Sequence, residues 1–169
     1  TDHLLYGVAR SGGTNGAGVL FSYDVNTEIL NPVYHFNTQN VDGNVTLASD
    51  GNLYGTHAGA NNLYKYVSPG VIEEKHYFGT DSLGKYPMGR LEADSAGMLW
   101  GLTRNGGISN GGVIYSFDTK YNQFTKLADL ASIGTELAMG SLTRTSSGKM
   151  YGVTAGVIGA EGGVLFQYD

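Results

Sequence analysis

Short apolar stretches alternate with polar, glycine-rich connections along the whole chain, and none of these stretches keeps a helical period. β-Branched and aromatic residues dominate them, as in residues 33–36 and 75–78. In residues 18–24, apolar side chains fall on both faces of an extended chain. The pattern predicts many short β-strands that are covered on both sides.

Two sequence motifs recur at nearly constant spacing. The first is an aromatic residue followed by glycine, and its aromatic residues, which are separated by 48, 46 and 51 residues, are Tyr6, Tyr54, Trp100 and Tyr151. The second resembles Gly-Val-Leu-Phe-x-Tyr-Asp and begins eleven residues after the glycine of the first motif in three copies, at Gly18, Gly112 and Gly163. Such regular spacing indicates a tandem repeat of one structural unit.

Each repeat divides into four strands joined by tight turns, of which residues 50–52, with an Asp-Gly pair, form the clearest. Four antiparallel strands repeated at about 48 residues are typical of β-propeller blades, which stand radially around a channel. The aromatic residue of each first motif is expected to pack between blades, and the glycine after it to let neighbouring backbones approach closely. We therefore predict an all-β propeller in a single domain, residues 1–169, with repeats at about 1–43, 44–88, 89–139 and 140–169.

The predicted strands number fourteen, which makes about three and a half blades. The first repeat begins at its second strand and the last ends after its third, whereas closed propellers have about four to eight blades. Open ends would expose strand edges and apolar blade faces. We expect either that the chain is part of a longer propeller or that copies assemble, most simply as a homodimer, to cover these faces.

The two motifs, with a Gly-Gly loop between them at residues 12–13 and 106–107, resemble the GloVer (Gloeo/Verruco) tandem repeat of bacterial surface and secreted proteins. They are also similar to Kelch repeats. The resemblance covers nearly the whole chain and departs in the second repeat, where residues 57–61 replace the longer loop. It implies an exported propeller, sometimes anchored at the cell surface, with no shared catalytic residues.

Composition excludes several other classes of protein. Of the 169 residues, 41% are hydrophobic and 15% charged, which excludes a disordered chain. The net charge of −5, without a basic cluster, argues against a nucleic-acid partner, and the lack of cysteine removes disulfides and thiolate metal sites. No apolar run approaches the roughly 18 residues of a membrane span. Together with the resemblance, this composition predicts an extracellular or cell-surface location.

Most residues with familiar chemistry are better explained as structural features. The glycine-rich loops 11–18 and 105–112 precede strands and lack a suitably placed lysine, so they are predicted to be hairpin connections rather than phosphate cradles. The four histidines show no zinc-binding spacing, and no metal or cofactor is expected. The aspartates that end the third strands are expected to cap turns, and they are Asp24, Asp118 and Asp169.

Departures from the repeat mark the candidate ligand-binding residues. Two arginines follow second strands at equivalent places, where His57 and Ala155 stand in the other repeats. Arg90 lies in a first strand, where it is matched with Thr46 and Ser141, and first strands line a propeller channel. The predicted ligand-binding residues are Arg10, His57, Arg90, Arg104 and Ser141, and no catalytic residue is predicted.

The repeated scaffold without a catalytic constellation favours a non-catalytic binding module that holds a glycan or protein partner on one propeller face. One alternative is a carbohydrate-active enzyme, a lyase or hydrolase, with polar residues converging on the channel. Another is a purely structural repeat segment of a large surface protein. Propellers host all of these, because the fold does not determine the function.

Overall fold

The computed structural model describes residues 3–39, 41–79, 81–133, 138–155 and 163–169. Fourteen strands in these residues form four antiparallel sheets, each built from consecutive strands. The first sheet contains β1 (Leu4–Ala9), β2 (Val19–Asp24) and β3 (Ile29–His35), and the second contains β4 (Val45–Leu47), β5 (Leu53–His57), β6 (Asn62–Ser68) and β7 (Val71–Tyr77). The third contains β8 (Lys85–Ala93), β9 (Met98–Asn105), β10 (Val113–Asp118) and β11 (Gln123–Asp129), and the fourth contains β12 (Thr143–Arg144), β13 (Met150–Val153) and β14 (Leu165–Tyr168).

These sheets confirm the predicted all-β architecture of propeller blades. In the described residues the first sheet has three strands, the two middle sheets have four each, and the last has three. The glycine-rich loops connect β1 to β2 and β9 to β10, as predicted. Short 3₁₀ turns, which the strand pattern did not indicate, occur at Asp81–Leu83, Ile108–Asn110 and Leu130–Ile133.

Neighbouring sheets pack face to face through the aromatic residues of the first motif. The ring centroids of Tyr6 and Tyr66 are 6.0 Å apart across the first junction, and those of Tyr54 and Phe117 are 6.3 Å apart across the second. Trp100 belongs to the core of the third junction. The predicted packing between blades is thus confirmed at these three positions, and burying such rings supplies much of the stability of each junction.

The glycine of the first motif has a different task from the one predicted. It admits an aromatic ring from the paired strand of its own sheet, not a neighbouring backbone: a Cβ atom on Gly7 would lie 2.6 Å from Cζ of Phe21, and one on Gly55 would lie 2.6 Å from Cζ of Tyr64. The same ring-on-glycine contact recurs in the other two sheets, between Gly101 and Tyr115 and between Gly152 and Phe166.

The register of the first strands corrects one equivalence drawn from the sequence. The anchor aromatics Tyr54, Trp100 and Tyr151 lie opposite Thr46, Glu92 and Thr143, respectively. Arg90 and Ser141 therefore occupy equivalent positions, but the match of Arg90 with Thr46 was wrong by two residues. A bulge in β8 between Met88 and Glu92 separates its two paired portions.

Candidate functional site

A pocket of about 420 Å³ opens where second strands end in the first three sheets. We call it the upper pocket, and its lining residues are Arg10, Asp42, Ala58, Tyr86, Met88, Arg104 and Asn105. Two of the five predicted ligand-binding residues, the arginines that follow β1 and end β9, are thus brought to one cavity. Its volume lies within the range of about 300–1,000 Å³ that small-molecule sites usually have.

The two arginines of the upper pocket differ in their partners. Nε of Arg10 lies 3.0 Å from Oδ1 of Asp42, which holds that guanidinium against the loop between β3 and β4. Arg104 is exposed and has no carboxylate within ion-pair distance among the described residues. The lining therefore carries a local excess of positive charge in a chain whose net charge is −5.

Tyr86 contributes an aromatic surface to the upper pocket from a strained backbone. Its φ angle is +53°, in the left-handed region that a bulky residue rarely adopts. The backbone N–H of Tyr86 donates a 2.6 Å hydrogen bond to Oδ1 of Asn61, which lies in the turn between β5 and β6. This bond between sheets holds the strained residue, and its side chain remains 45% exposed.

The position of His57 differs from the one inferred for it. Counted from the anchor aromatic, the residue equivalent to Arg10 and Arg104 is Ala58, and it is Ala58 that lines the pocket. His57 is only 3% exposed, its Nε2 atom is 2.8 Å from the carbonyl oxygen of Thr38, and its ring packs against Phe36. Burial lowers the pKa of His57, so the neutral ring that donates to this carbonyl is favoured.

Arg90 and Ser141 form a separate contact between the third and fourth sheets. The backbone N–H of Arg90 donates to Oγ of Ser141 at 2.8 Å, while Nη2 of Arg90 lies 3.8 Å from Oε2 of Glu92. Neither residue lines the upper pocket. Ligand binding by Arg90, Ser141 and His57 stays a prediction.

The sequence interpretation did not select Asp42, Tyr86, Met88 or Asn105. Tyr86 and Met88 lie in the upper part of β8, before the bulge, which the sequence had placed outside the strand. Asp42 lies in the loop between β3 and β4, outside the repeated motifs. Asn105 directly follows Arg104 in the sequence, and this adjacency to a predicted ligand-binding residue is the signal that could have identified it.

The predicted turn-capping role of the third-strand aspartates is confirmed at two of its three positions. Oδ1 of Asp24 accepts hydrogen bonds from the backbone N–H groups of Asn26 and Thr27, at 2.8 and 3.3 Å. Oδ1 of Asp118 accepts equivalent hydrogen bonds from the backbone N–H groups of Lys120 and Tyr121. In the described part of the chain, no cluster of three or more His, Asp or Glu side chains is arranged to hold a metal ion.

Four antiparallel sheets with packed junctions, similar to part of solved β-propellers, define the class of this molecule as an all-β fold of propeller-like blades. The chain belongs to the Gloeobacter/Verrucomicrobia repeat family, whose model matches residues 1–169. No curated protein sequence matches it significantly.

Solved structures share the fold at low sequence identity. A chain from the crystal structure of a nidogen/laminin complex is similar with a TM-score of 0.63 and 15% identity, over 92% of this chain and 54% of that one. TolB from Acinetobacter baumannii has a TM-score of 0.64 and 17% identity, over 99% and 38%. A streptogramin B lyase has a TM-score of 0.61 and 16% identity, over 97% of this chain and 54% of that one. The chain thus spans about half or less of these structures.

None of the helices in the described residues has the length and apolar character needed to cross a membrane.

Proposed function

We propose that the chain is a non-catalytic binding module of an exported bacterial protein, and that the upper pocket binds an acidic group of a glycan or protein partner. One observation carries this proposal: Arg10, Arg104 and Tyr86 line the same cavity, and Arg104 has no acidic partner among the described residues.

The chemistry of the lining suits an acidic ligand. A guanidinium presents a planar fork of donors that pairs with a carboxylate through two hydrogen bonds. The exposed ring of Tyr86 offers a flat surface on which a sugar ring or a side chain can stack, and the amide of Asn105 adds a neutral hydrogen-bonding group. Asp42 keeps Arg10 in place beside the cavity.

The same lining supports binding over hydrolysis. Glycoside hydrolases mostly use two carboxyl groups that face each other across the scissile bond. The described lining of the upper pocket contains one, Asp42, and that carboxylate is ion-paired with Arg10. A bound acidic sugar would therefore be held without a second carboxyl group to act on it.

Calorimetric titration with uronic acid oligomers, their neutral counterparts and an oligoglutamate peptide tests the proposal. We expect an acidic ligand to bind, and Arg104→Gln to weaken binding about tenfold or more, because a charged hydrogen bond contributes about 1.5–3 kcal/mol. Raising the salt concentration should also weaken binding. Lys120→Gln is the control, since it removes an exposed positive charge that lies over the Tyr121 ring, outside the pocket.

Two results would contradict the proposal. Equal binding of acidic and neutral oligomers would exclude recognition of the acidic group, and equal effects of Arg104→Gln and Lys120→Gln would exclude the upper pocket. Shortened or unsaturated sugars after incubation with the protein would instead show an enzyme.

A further inference from the structure

Tyr86 differs from every other residue with a left-handed backbone in the described part of the chain, glycines aside. Six such residues have a positive φ angle, and five of them are polar residues that lie between strands. Tyr86 lies within a strand, β8, and carries an aromatic ring. A bulky residue in this region costs free energy that asparagine or glycine would largely avoid. The exposed ring is therefore kept in its place at a cost in stability.

The backbone of Tyr86 is fixed on both sides. Its N–H group donates a 2.6 Å hydrogen bond to Oδ1 of Asn61, and the residue that follows it is Pro87, whose ring locks φ. The main chain of Asn61 is held separately, because its N–H donates to the carbonyl oxygen of Ala58 at 3.1 Å and its own carbonyl accepts from the N–H of Phe78 at 2.7 Å. The turn that carries Asn61 thus has hydrogen bonds of its own, and the side-chain oxygen of Asn61 acts on Tyr86.

Arg104 lies opposite this fixed residue on the paired strand β9. The register pairs on either side of Tyr86 and Arg104 are Lys85 with Asn105 and Pro87 with Thr103. Opposite residues of antiparallel strands are close neighbours, and both of these side chains line the upper pocket. The second and third sheets, which supply Asn61, Tyr86 and Arg104, have four strands each. A carboxylate bound by Arg104 would therefore have the ring of Tyr86 beside it.

A uronic acid matches these two groups better than the acidic side chain of a peptide does. Its carboxylate is attached directly to a six-membered ring, and one face of that ring presents C–H groups. The guanidinium of Arg104 can pair with the carboxylate while the sugar ring lies on the ring of Tyr86. The carboxylate of a glutamate side chain is carried on flexible methylene groups, which offer no such face and lose rotamer freedom on binding.

We propose that the upper pocket recognises a uronic acid residue of a glycan, that Tyr86 determines this specificity by stacking on the sugar ring, and that Asn61 is a positioning residue that holds Tyr86 for it. This inference rests on the function proposed above and narrows the acidic ligand to one chemical class. It also gives a role to the shortened loop of the second repeat, since that loop ends at Asn61, whose side chain reaches β8.

Calorimetric titration with a galacturonic acid trimer and with acetylated, amidated triglutamate tests the proposal, because both ligands carry three carboxylates and only the trimer has rings. We expect the trimer to bind about tenfold more tightly, as packing a ring on an aromatic side chain predicts. Tyr86→Asn should abolish this ratio and leave triglutamate binding nearly unchanged, since asparagine accepts a left-handed backbone without supplying a ring. Tyr121→Asn is the matched control, at an exposed tyrosine outside the pocket, and should keep the ratio.

Two variants of Asn61 separate a positioning role from a general effect on the fold. Asn61→Gly keeps a residue that adopts a φ angle of +53° but removes the acceptor for the N–H of Tyr86, so the ratio should fall toward one. Asn61→Asp keeps an acceptor and should keep the ratio, while its charge weakens both ligands alike. Saturation transfer in NMR from aromatic protons of the protein to the sugar ring protons should be lost in Tyr86→Asn.

The remaining outcomes overturn the proposal. Equal binding of both ligands, each weakened by Arg104→Gln, would leave the acidic-ligand pocket in place and exclude specificity for a sugar. Tighter binding of triglutamate would identify an acidic peptide as the ligand. If neither ligand bound, the function proposed above would fail as well. An unchanged ratio in Tyr86→Asn would exclude the stacking role of Tyr86, and an unchanged ratio in Asn61→Gly would exclude the positioning role of Asn61.

Discussion

The ring of His57 lies between the first two sheets, where it packs on Phe36 and its Nε2 atom meets the carbonyl oxygen of Thr38 at 2.8 Å. Burial lowers the pKa of this ring below its ordinary value of about 6.5. As the pH falls below about 6.5, the unfolded chain therefore binds a proton that the folded chain does not, and the free energy of unfolding decreases.

We expect His57→Gln to reduce the loss of thermal stability between about pH 7.5 and about pH 5, because it removes one of the groups that titrate in this way. His76, whose pKa burial also lowers, should maintain the rest of the dependence. Melting temperatures measured across this range check the prediction, with His3→Gln, at an exposed position, as the control. Parallel curves for His57→Gln and the unaltered chain would contradict it.

Single residues also show how far the sequence could lead. Arg10 and Arg104 were found because both interrupt the repeat at the same distance from its anchor, and the structure brings them to one pocket. His57 was matched with these arginines one residue away from the correct position, Ala58, because the loop after β5 is shorter in the second repeat. Both residues are 3% exposed, but Ala58 lies in the turn after β5 and lines the pocket, whereas the ring of His57 packs against Phe36.

At the scale of elements, the ring-on-glycine contact joins the second and third strands of every sheet. We expect Gly55→Ala to destabilise the chain by about 1–3 kcal/mol, because the new methyl group would overlap the ring of Tyr64, which is fully buried and cannot move aside. Gly7→Ala should cost less, since Phe21 lies on the half-buried outer face of the first sheet.

Urea unfolding of the two variants checks this prediction, because the same change faces a fully buried ring at Tyr64 and a half-buried ring at Phe21. Equal losses would contradict the prediction, because the burial of the facing ring would then not determine the cost of the added methyl group. The pair Gly55→Ala with Tyr64→Leu offers a further comparison: the smaller side chain should recover part of the loss caused by Gly55→Ala alone.

The elements could be predicted from the sequence to different degrees. Second and third strands carry the repeated motifs, so the apolar pattern alone predicts strands such as β5 and β10. First strands were harder, because their register depends on contacts with the next sheet. In β8, the bulge at Gly89 brings the chain against the backbone of Gly140 in the fourth sheet, a contact that no local pattern encodes.

At the scale of the whole molecule, the outer face of the fourth sheet exposes apolar side chains. Val153 is 50% exposed and Leu165 is 70% exposed, and they lie opposite each other on paired strands. We propose that copies of the chain associate as a homodimer through such faces. Light scattering over a concentration series should then give twice the mass of 17.9 kDa, and Leu165→Asp should reduce it toward the single-chain mass.

Leu30→Asp, on the first sheet, provides the comparison for that measurement, because Leu30 is also exposed, at 56%, but at the other end of the chain. If both variants dissociate the dimer, the two end faces meet each other. A single-chain mass at every concentration would exclude the homodimer.

The number of sheets and the order of their strands could be predicted from the repeat length and the strand count, because both can be read from the sequence alone. The upper pocket did not follow, because it combines residues from three sheets and a connecting loop, and their distances depend on how the sheets pack.

The sameness of the junctions has a consequence for how such chains change over generations. Each sheet is built from consecutive strands, and every junction buries the equivalent third-strand ring, that of Tyr64, Tyr115 or Phe166. A recombination event that duplicates or deletes one repeat length of DNA would leave every surviving junction with its usual partners, because repeat proteins are stabilised mainly between neighbours. The packing between the remaining sheets would therefore survive a change in the number of repeats, and a pocket that forms between sheets would change with that number.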